Sequence, residues 1–167
     1  MRHTGMTSRS DVAGPATEAS VEAVFRQNYA RLVRAAWLIT GSRDVAEDLV
    51  QDVFANMLTG RHTASDLAPY IHRAVINRVR SWQRRQSLER RHSGSTQEVS
   101  EPPELHGLSW FFQLLSDRQR AAIVLRYYCD FSLADVAKTM GCTTGTVSVL
   151  IRRALAKARH NKEGFES

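Results

Sequence analysis

The sequence predicts an all-α protein: two small helical domains joined by a flexible linker, the second containing a helix-turn-helix. Three observations carry this. Apolar residues recur at helical spacing through both halves, and no alternating strand pattern survives. Residues 86–106 (QSLERRHSGSTQEVSEPPELH) lose that spacing and hold Gly94, Pro102 and Pro103, the composition of a linker. Residues 116–159 place a short helix, then Gly141, then a second helix in succession, as a helix-turn-helix does.

The elements follow in order. Residues 1–20 are rich in Ser, Thr, Gly and Ala, lack the apolar core of a signal peptide and read as a disordered tail. The first domain spans 21–85. Its first helix carries Val21, Val24, Phe25, Tyr29, Leu32 and Ala36 on one stripe and ends at Thr40-Gly41-Ser42. A second helix, 45–58, turns Val45, Leu49, Val53 and Met57 inward. A polar loop over 59–69 follows, and Pro69 suits the first turn of a third helix with Ile71, Val75, Val79 and Trp82 inward. After the linker, taken as 86–107, the second domain spans 108–161. Leu108, Phe111, Phe112 and Leu115 open it; Ser116 with Gln119 matches a capping box, Ser132 with Asp135 begins the next helix similarly, and Thr143 is the N-cap of the last.

Charge narrows the function. The 167 residues carry a net +6, which favours an anionic partner such as nucleic acid. The charges are segregated. Residues 71–91 hold seven arginines and one acid, whereas 44–52 hold four acids and no base. Two partners of opposite sign account for this better than solubility does. On the last helix, with Val147, Ile151, Ala154 and Ala158 inward, the opposite face presents Thr144, Ser148, Val149, Arg152 and Arg153 beside the N-cap Thr143. Hydroxyls and guanidinium groups suit base edges and phosphates in a major groove. Arg73, Arg78, Arg80, Arg84 and Arg85 lie beside Tyr70 and Trp82, a pairing of backbone-tracking cations with stacking rings. The preceding loop, with Arg61, His62, Thr63, Ser65 and Asp66, suits a base swung out of the stack. Asp44, Glu47, Asp48, Gln51 and Asp52 stand off the apolar stripe with no companion nucleophile, so a docking face for a basic protein fits better than acid–base catalysis.

Other classes fall away. No P-loop or dinucleotide fingerprint is present, and the six histidines show no metal-ligand spacing, so neither enzyme activity nor a cofactor, metal or small-molecule substrate is expected. No apolar run is long enough to span a membrane, and the two cysteines form no CxxC pair; the expected location is cytoplasmic. An ordinary dimeric regulator would need an apolar dimer face, and no heptad seam is left over for one.

With these residues in view, the chain resembles the bacterial RNA polymerase sigma factors of the extracytoplasmic-function (ECF) group, within the sigma-70 family. The resemblance rests on AEDLVQDVF at 46–54, YIHRAVINRVRSWQRR at 70–85, and LSDRQRAAIVLRYY with LADVAKTMGCTTGTV and RRA in the second half. It implies that 21–85 is sigma region 2, which docks on core polymerase and reads and melts the promoter −10 element, and that 108–161 is region 4, which reads the −35 duplex and touches the polymerase flap. It implies that Asp44, Glu47, Asp48, Gln51 and Asp52 meet the clamp helices of the largest subunit, and that Arg73, Asn77, Arg78 and Arg80 join the 59–69 loop at the −10 element. The implied partners are core RNA polymerase and promoter DNA; an anti-sigma protein, where one exists, would cover the docking or DNA-reading faces. One departure stands out. After GTV the family commonly carries a cation, Ser and Arg, where this chain has Ser148, Val149 and Leu150. The expectation is a weaker, less salt-dependent −35 contact, with Arg152 and Arg153 carrying more of it.

Overall fold

The structure is a computed structural model that describes residues 18–59, 67–93, 100 and 102–163. The expected tail through residue 17 and the loop residues 60–66 lie outside the described residues. Among the described residues there are seven α-helices and no strand: α1 (Glu18–Thr40), α2 (Arg43–Thr59), α3 (Leu67–Ser93), α4 (Ser109–Leu114), α5 (Asp117–Ile123), α6 (Leu133–Met140) and α7 (Thr144–Glu163). A 3₁₀ turn at Pro103–Leu108 leads into α4, and a π-type turn at Val124–Tyr128 prolongs α5. This is the all-α architecture that the periodicity predicts.

Helices α1, α2 and α3 pack as one bundle. Leu32 and Ile39 of α1, Val50 of α2, and Ile71, Val75, Ile76 and Val79 of α3 are fully buried in it. Burying such a side chain contributes roughly 1.5–3 kcal/mol. The α1 stripe is wider than its sequence pattern predicts, because Val33, Ala35 and Leu38 are buried as well. The cause is a second neighbour: α5 and the π turn pack on α1 from the other domain. The turn out of α1 uses Gly41 in the left-handed region (φ 73°), where a Cβ would be strained.

Two stretches of the expected linker have definite structure. Helix α3 runs on through Ser93 rather than ending near Arg85. Nothing between Gln86 and Ser93 breaks a helix, and Arg90 donates from Nε to the Gln86 carbonyl at 3.4 Å. Ser100 is then fastened to the end of α1. Its N–H donates to the Gly41 carbonyl at 2.8 Å, and its Oγ accepts from Trp37 Nε1 at 2.9 Å. Pro102 beside it is fully buried.

In the second domain the local signals are realised. Ser116 Oγ accepts from the Gln119 N–H at 3.3 Å while Gln119 Oε1 accepts from the Ser116 N–H at 3.1 Å, a complete capping box. Ser132 caps α6 by accepting from the Asp135 N–H at 3.1 Å. Gly141 ends α6 in a left-handed conformation (φ 63°), and Thr143 Oγ1 accepts from the Thr146 N–H at 3.2 Å to start α7. The angle between α6 and α7 is thus set by a left-handed corner and a cap. Cys129 is buried under this domain, and burial pushes its thiol up to about 12, so it behaves as a small apolar side chain.

Candidate nucleic-acid interface

On α7, Val147, Ile151 and Ala154 are buried and Ala158 is half-buried, which fixes the helix by its predicted stripe. Thr143, Thr144, Ser148, Arg152 and Arg153 are exposed on the far side; Val149 is half-buried. Several hydroxyls there are already engaged. Ser148 Oγ donates to the Thr144 carbonyl at 3.0 Å, and Thr143 Oγ1 and Thr146 Oγ1 share a hydrogen bond of 3.0 Å. Leu150, at a position where the family commonly carries Arg, is half-buried against the core. Lys157 also serves the fold, donating to the Leu114 carbonyl at 2.7 Å and to Gln119 Oε1 at 3.0 Å. The free cations of this face are therefore Arg152 and Arg153, with Arg159 two turns further along, and none of them makes an ion pair among the described residues.

The basic face of α3 divides. Arg73, Asn77 and Arg78 are exposed. Tyr70, Asn77, Arg78 and Asn56 line a groove of about 300 Å³ between α2 and α3, at the ends of the helices that bracket residues 60–66. Arg61, His62, Thr63, Ser65 and Asp66 themselves lie outside the described residues. Arg80 stands apart from the other three. It is 6% exposed, because it sits at the border of the buried face of α3, where the second domain covers it. Trp82 is half-buried against the core.

On α2, Asp44, Asp48 and Gln51 are exposed, while Glu47 and Asp52 are half-buried. Glu47 accepts from Arg43 Nε at 2.7 Å, an exposed pair that raises the Arg43 pKa. Asp52 pairs across helices with Arg78, and Gln51 donates to the Tyr29 hydroxyl at 3.3 Å. Neighbouring arginines thus partly neutralise the acidic run; Asp44 and Asp48 are its exposed acids that make no ion pair among the described residues, although Asp44 also feels the charge of Arg43.

These faces belong to one connected unit, because the two domains touch. Helix α1 meets α5 and the π turn, α3 meets α6, and Arg90 of α3 pairs with Asp117 of α5 at 2.9 Å. The His72 ring lies 5.5 Å from that of Phe131, centroid to centroid, at a cavity edged by Arg31, Arg73, Asp130 and Asp135.

The sequence comparisons fit this architecture. Residues 24–89 match the family Sigma-70 region 2, and residues 111–160 match Sigma-70, region 4. The RNA polymerase sigma-E factor of Streptomyces coelicolor is 31% identical over 140 residues, covering 77% of each chain. The chain belongs to the RNA polymerase sigma factors, in their extracytoplasmic-function group. The sigma-E factor of Streptomyces antibioticus is similar at 30% identity over 127 residues, 71% of each chain, and the sigma factor YlaC of Bacillus subtilis at 22% over 158 residues, 85% of this chain and 91% of that one. Among solved structures, the sigma factor RpoE of Bartonella quintana, crystallised with the anti-sigma factor NepR, superposes with a TM-score of 0.61 at 26% identity, covering 83% of this chain and 94% of that one. This sigma factor directs transcription initiation, and the helix-turn-helix of α6 and α7 is its DNA-binding region 4 element.

At the contact between its two halves, His72 is expected to make folding stability depend on pH. Burial, and secondarily Arg31, hold the His72 imidazole below its ordinary value. As pH falls, the unfolded chain therefore takes up a proton before the folded chain does. The stability present above about pH 6.5 is expected to decline below it, with a slope of at most about 1.4 kcal/mol per pH unit from this one group. Urea unfolding of the native chain and of His72→Gln between pH 5 and 8 checks this; the variant should lose that part of the slope.

Proposed function

We propose that residues 21–85 act as region 2 and 108–161 as region 4, with 86–107 between them, and that the two regions read a promoter in different states. In this reading α7 enters the major groove of the −35 element, with Thr143, Thr144, Ser148 and Val149 near base edges and Arg152 and Arg153 on bases or phosphates. The exposed Arg73, Asn77 and Arg78, with the loop residues Arg61, His62, Thr63, Ser65 and Asp66, hold the melted −10 strand; Arg80 joins them only when the second domain moves away. The observation that carries this half is the groove between α2 and α3, which pairs the Tyr70 ring with Asn77 and Arg78 and suits an unstacked base. Asp44 and Asp48, with Glu47, Gln51 and Asp52 around them, dock on the basic clamp helices of core polymerase, which supplies the catalysis. An anti-sigma protein, as NepR is for the Bartonella factor, would cover one of these faces.

The two elements lie about two helical turns apart, on the order of 70 Å along a duplex. Domains in mutual contact cannot reach both, so engagement of a promoter requires the halves to separate.

The test is multi-round transcription from a pool of genomic promoter fragments with core RNA polymerase, with and without this protein. New starts sharing paired upstream elements are expected; absence of both core binding and new starts would end the reading. Reversing the free charges of α2, Asp44→Lys with Asp48→Lys, should weaken core binding by about tenfold or more. A fluorescence titration of labelled protein with core polymerase measures it, and unchanged affinity would move the docking face elsewhere. On α7, Ser148→Lys restores one cation at an exposed site. The slope of log affinity against log salt for −35 duplex should steepen by about 0.9; an unaltered slope would mean that position 148 does not face phosphate.

A further inference from the structure

The contact between the two halves forms an open cationic cavity, whose lining shares only Arg80 with the promoter-reading residues named above. Arg80, Arg84 and Arg91 of α3 and Arg118 of α5 surround a volume of about 390 Å³, with Met140 of α6 as an apolar wall. Arg80 is the innermost of the four, 94% buried. It donates from one Nη to Gln83 Oε1 at 2.7 Å, and Gln83 donates in turn to the Ile39 carbonyl at 3.1 Å, so neutral groups hold the guanidinium in place. Its Nε is buried with no hydrogen-bond partner. Among the described residues lining the cavity, the carboxylate is that of Asp117, and Arg90 already engages it. Burial lowers the pKa of Arg80, and repulsion from Arg84 and then Arg118 adds to the effect. A buried guanidinium facing like charges is unfavourable until an anion supplies both charge and acceptors.

We propose that this cavity binds a small anion bearing a diphosphate or longer phosphate chain, and that it binds it across the contact between the two domains. Guanidinium forks match phosphate oxygens two at a time, and four of them on two helices exceed what one phosphoryl group needs. The volume lies at the lower end for small-ligand sites, about 300–1,000 Å³, and is too small for a duplex. Because α3 belongs to one domain and α5 to the other, the ligand favours the arrangement in which they touch.

The test is calorimetric titration of the full chain with sodium pyrophosphate in chloride buffer of matched ionic strength. One pyrophosphate per chain is expected. Arg118→Ala, an exposed position whose loss spares the fold, and Arg80→Met should each weaken binding by about tenfold or more. Arg159→Ala, an exposed charge outside the cavity, should change it by less than about twofold. Three results overturn the proposal: no binding beyond that of chloride, equal weakening by Arg159→Ala, or affinity untouched by Arg118→Ala, which would leave the anion on α3 alone. Displacement of pyrophosphate by an oligoglutamate at equal charge would also overturn it, in favour of an acidic protein segment. The promoter reading shares only Arg80 with this cavity, so the Arg118→Ala result, at a residue which that reading does not use, separates the two.

Discussion

Alanine at both Arg152 and Arg153 is expected to lower affinity for −35 duplex, and promoter-dependent transcription with it, by about 10- to 100-fold. The size follows from how little else this face of α7 offers. A cation, Ser and Arg commonly follow GTV in this family; here Ser148, Val149 and Leu150 stand instead. Ser148 spends its proton on the Thr144 carbonyl, Thr143 caps the helix, and Leu150 turns towards its own core. Lys157 is committed to Leu114 and Gln119. Two exposed guanidinium groups are left beside the N-terminal half of the helix, with Arg159 two turns beyond them, and a good bidentate pair is worth about 1–3 kcal/mol of discrimination. The measurement is fluorescence anisotropy on a −35 duplex taken from a promoter that the unmodified protein selects, with run-off transcription beside it. A change below about threefold would assign −35 reading to other residues. A loss in transcription with duplex affinity preserved would instead place the two arginines on the polymerase.

The features legible in the sequence are those written within one or two turns of chain. The stripe of Ile71, Val75 and Val79, the box of Ser116 and Gln119, the cap at Ser132 and the glycine at 141 each satisfy a local rule, and each is realised. What escaped depends on a neighbour distant in sequence. Arg80 reads as one more cation of α3, and only the docking of the second domain buries it. Val33, Ala35 and Leu38 are buried because α1 is packed from two sides. The pairing of Asp52 with Arg78 requires the register of α2 on α3. The helix through Ser93 is a different case: residues 86–93 hold one large apolar residue, Leu88, and so carry no stripe to read. Leu150 stands three residues after Val147 and one before Ile151, so the helical period alone already places it at the edge of the stripe.

The acidic and basic segregation keeps its meaning with these corrections. Arg43 and Arg78 answer Glu47 and Asp52 locally, which leaves Asp44 and Asp48 at one end of α2 and the groove with Tyr70 and Asn77 at the other. In the proposed reading the protein partner and the nucleic-acid strand thus centre on opposite ends of α2, with the Asp52–Arg78 pair between them.

Leu125→Ala is expected to cost about 3 kcal/mol of folding stability, within the range of roughly 2–5 for a buried leucine. Leu125 is fully buried in the π turn that prolongs α5. Its carbonyl accepts from the Phe131 N–H at 3.0 Å, which fixes the corner leading into α6. The same turn packs on α1, so the cavity left by alanine would loosen both the helix-turn-helix and the contact between domains. Against a typical total of about 5–15 kcal/mol the loss is large. Urea unfolding should show a lower midpoint with an unchanged slope, and hydrogen exchange should accelerate through α6 and α7 before it does in α2. Leu155→Ala, at an exposed site on α7, is the control and should stay within about 0.5 kcal/mol. A cost below about 1 kcal/mol for Leu125→Ala would mean that the π turn relaxes into the space. The corner before α6 would then be held by its caps rather than by its core, and recognition by α7 would tolerate far more change beneath it than this packing implies.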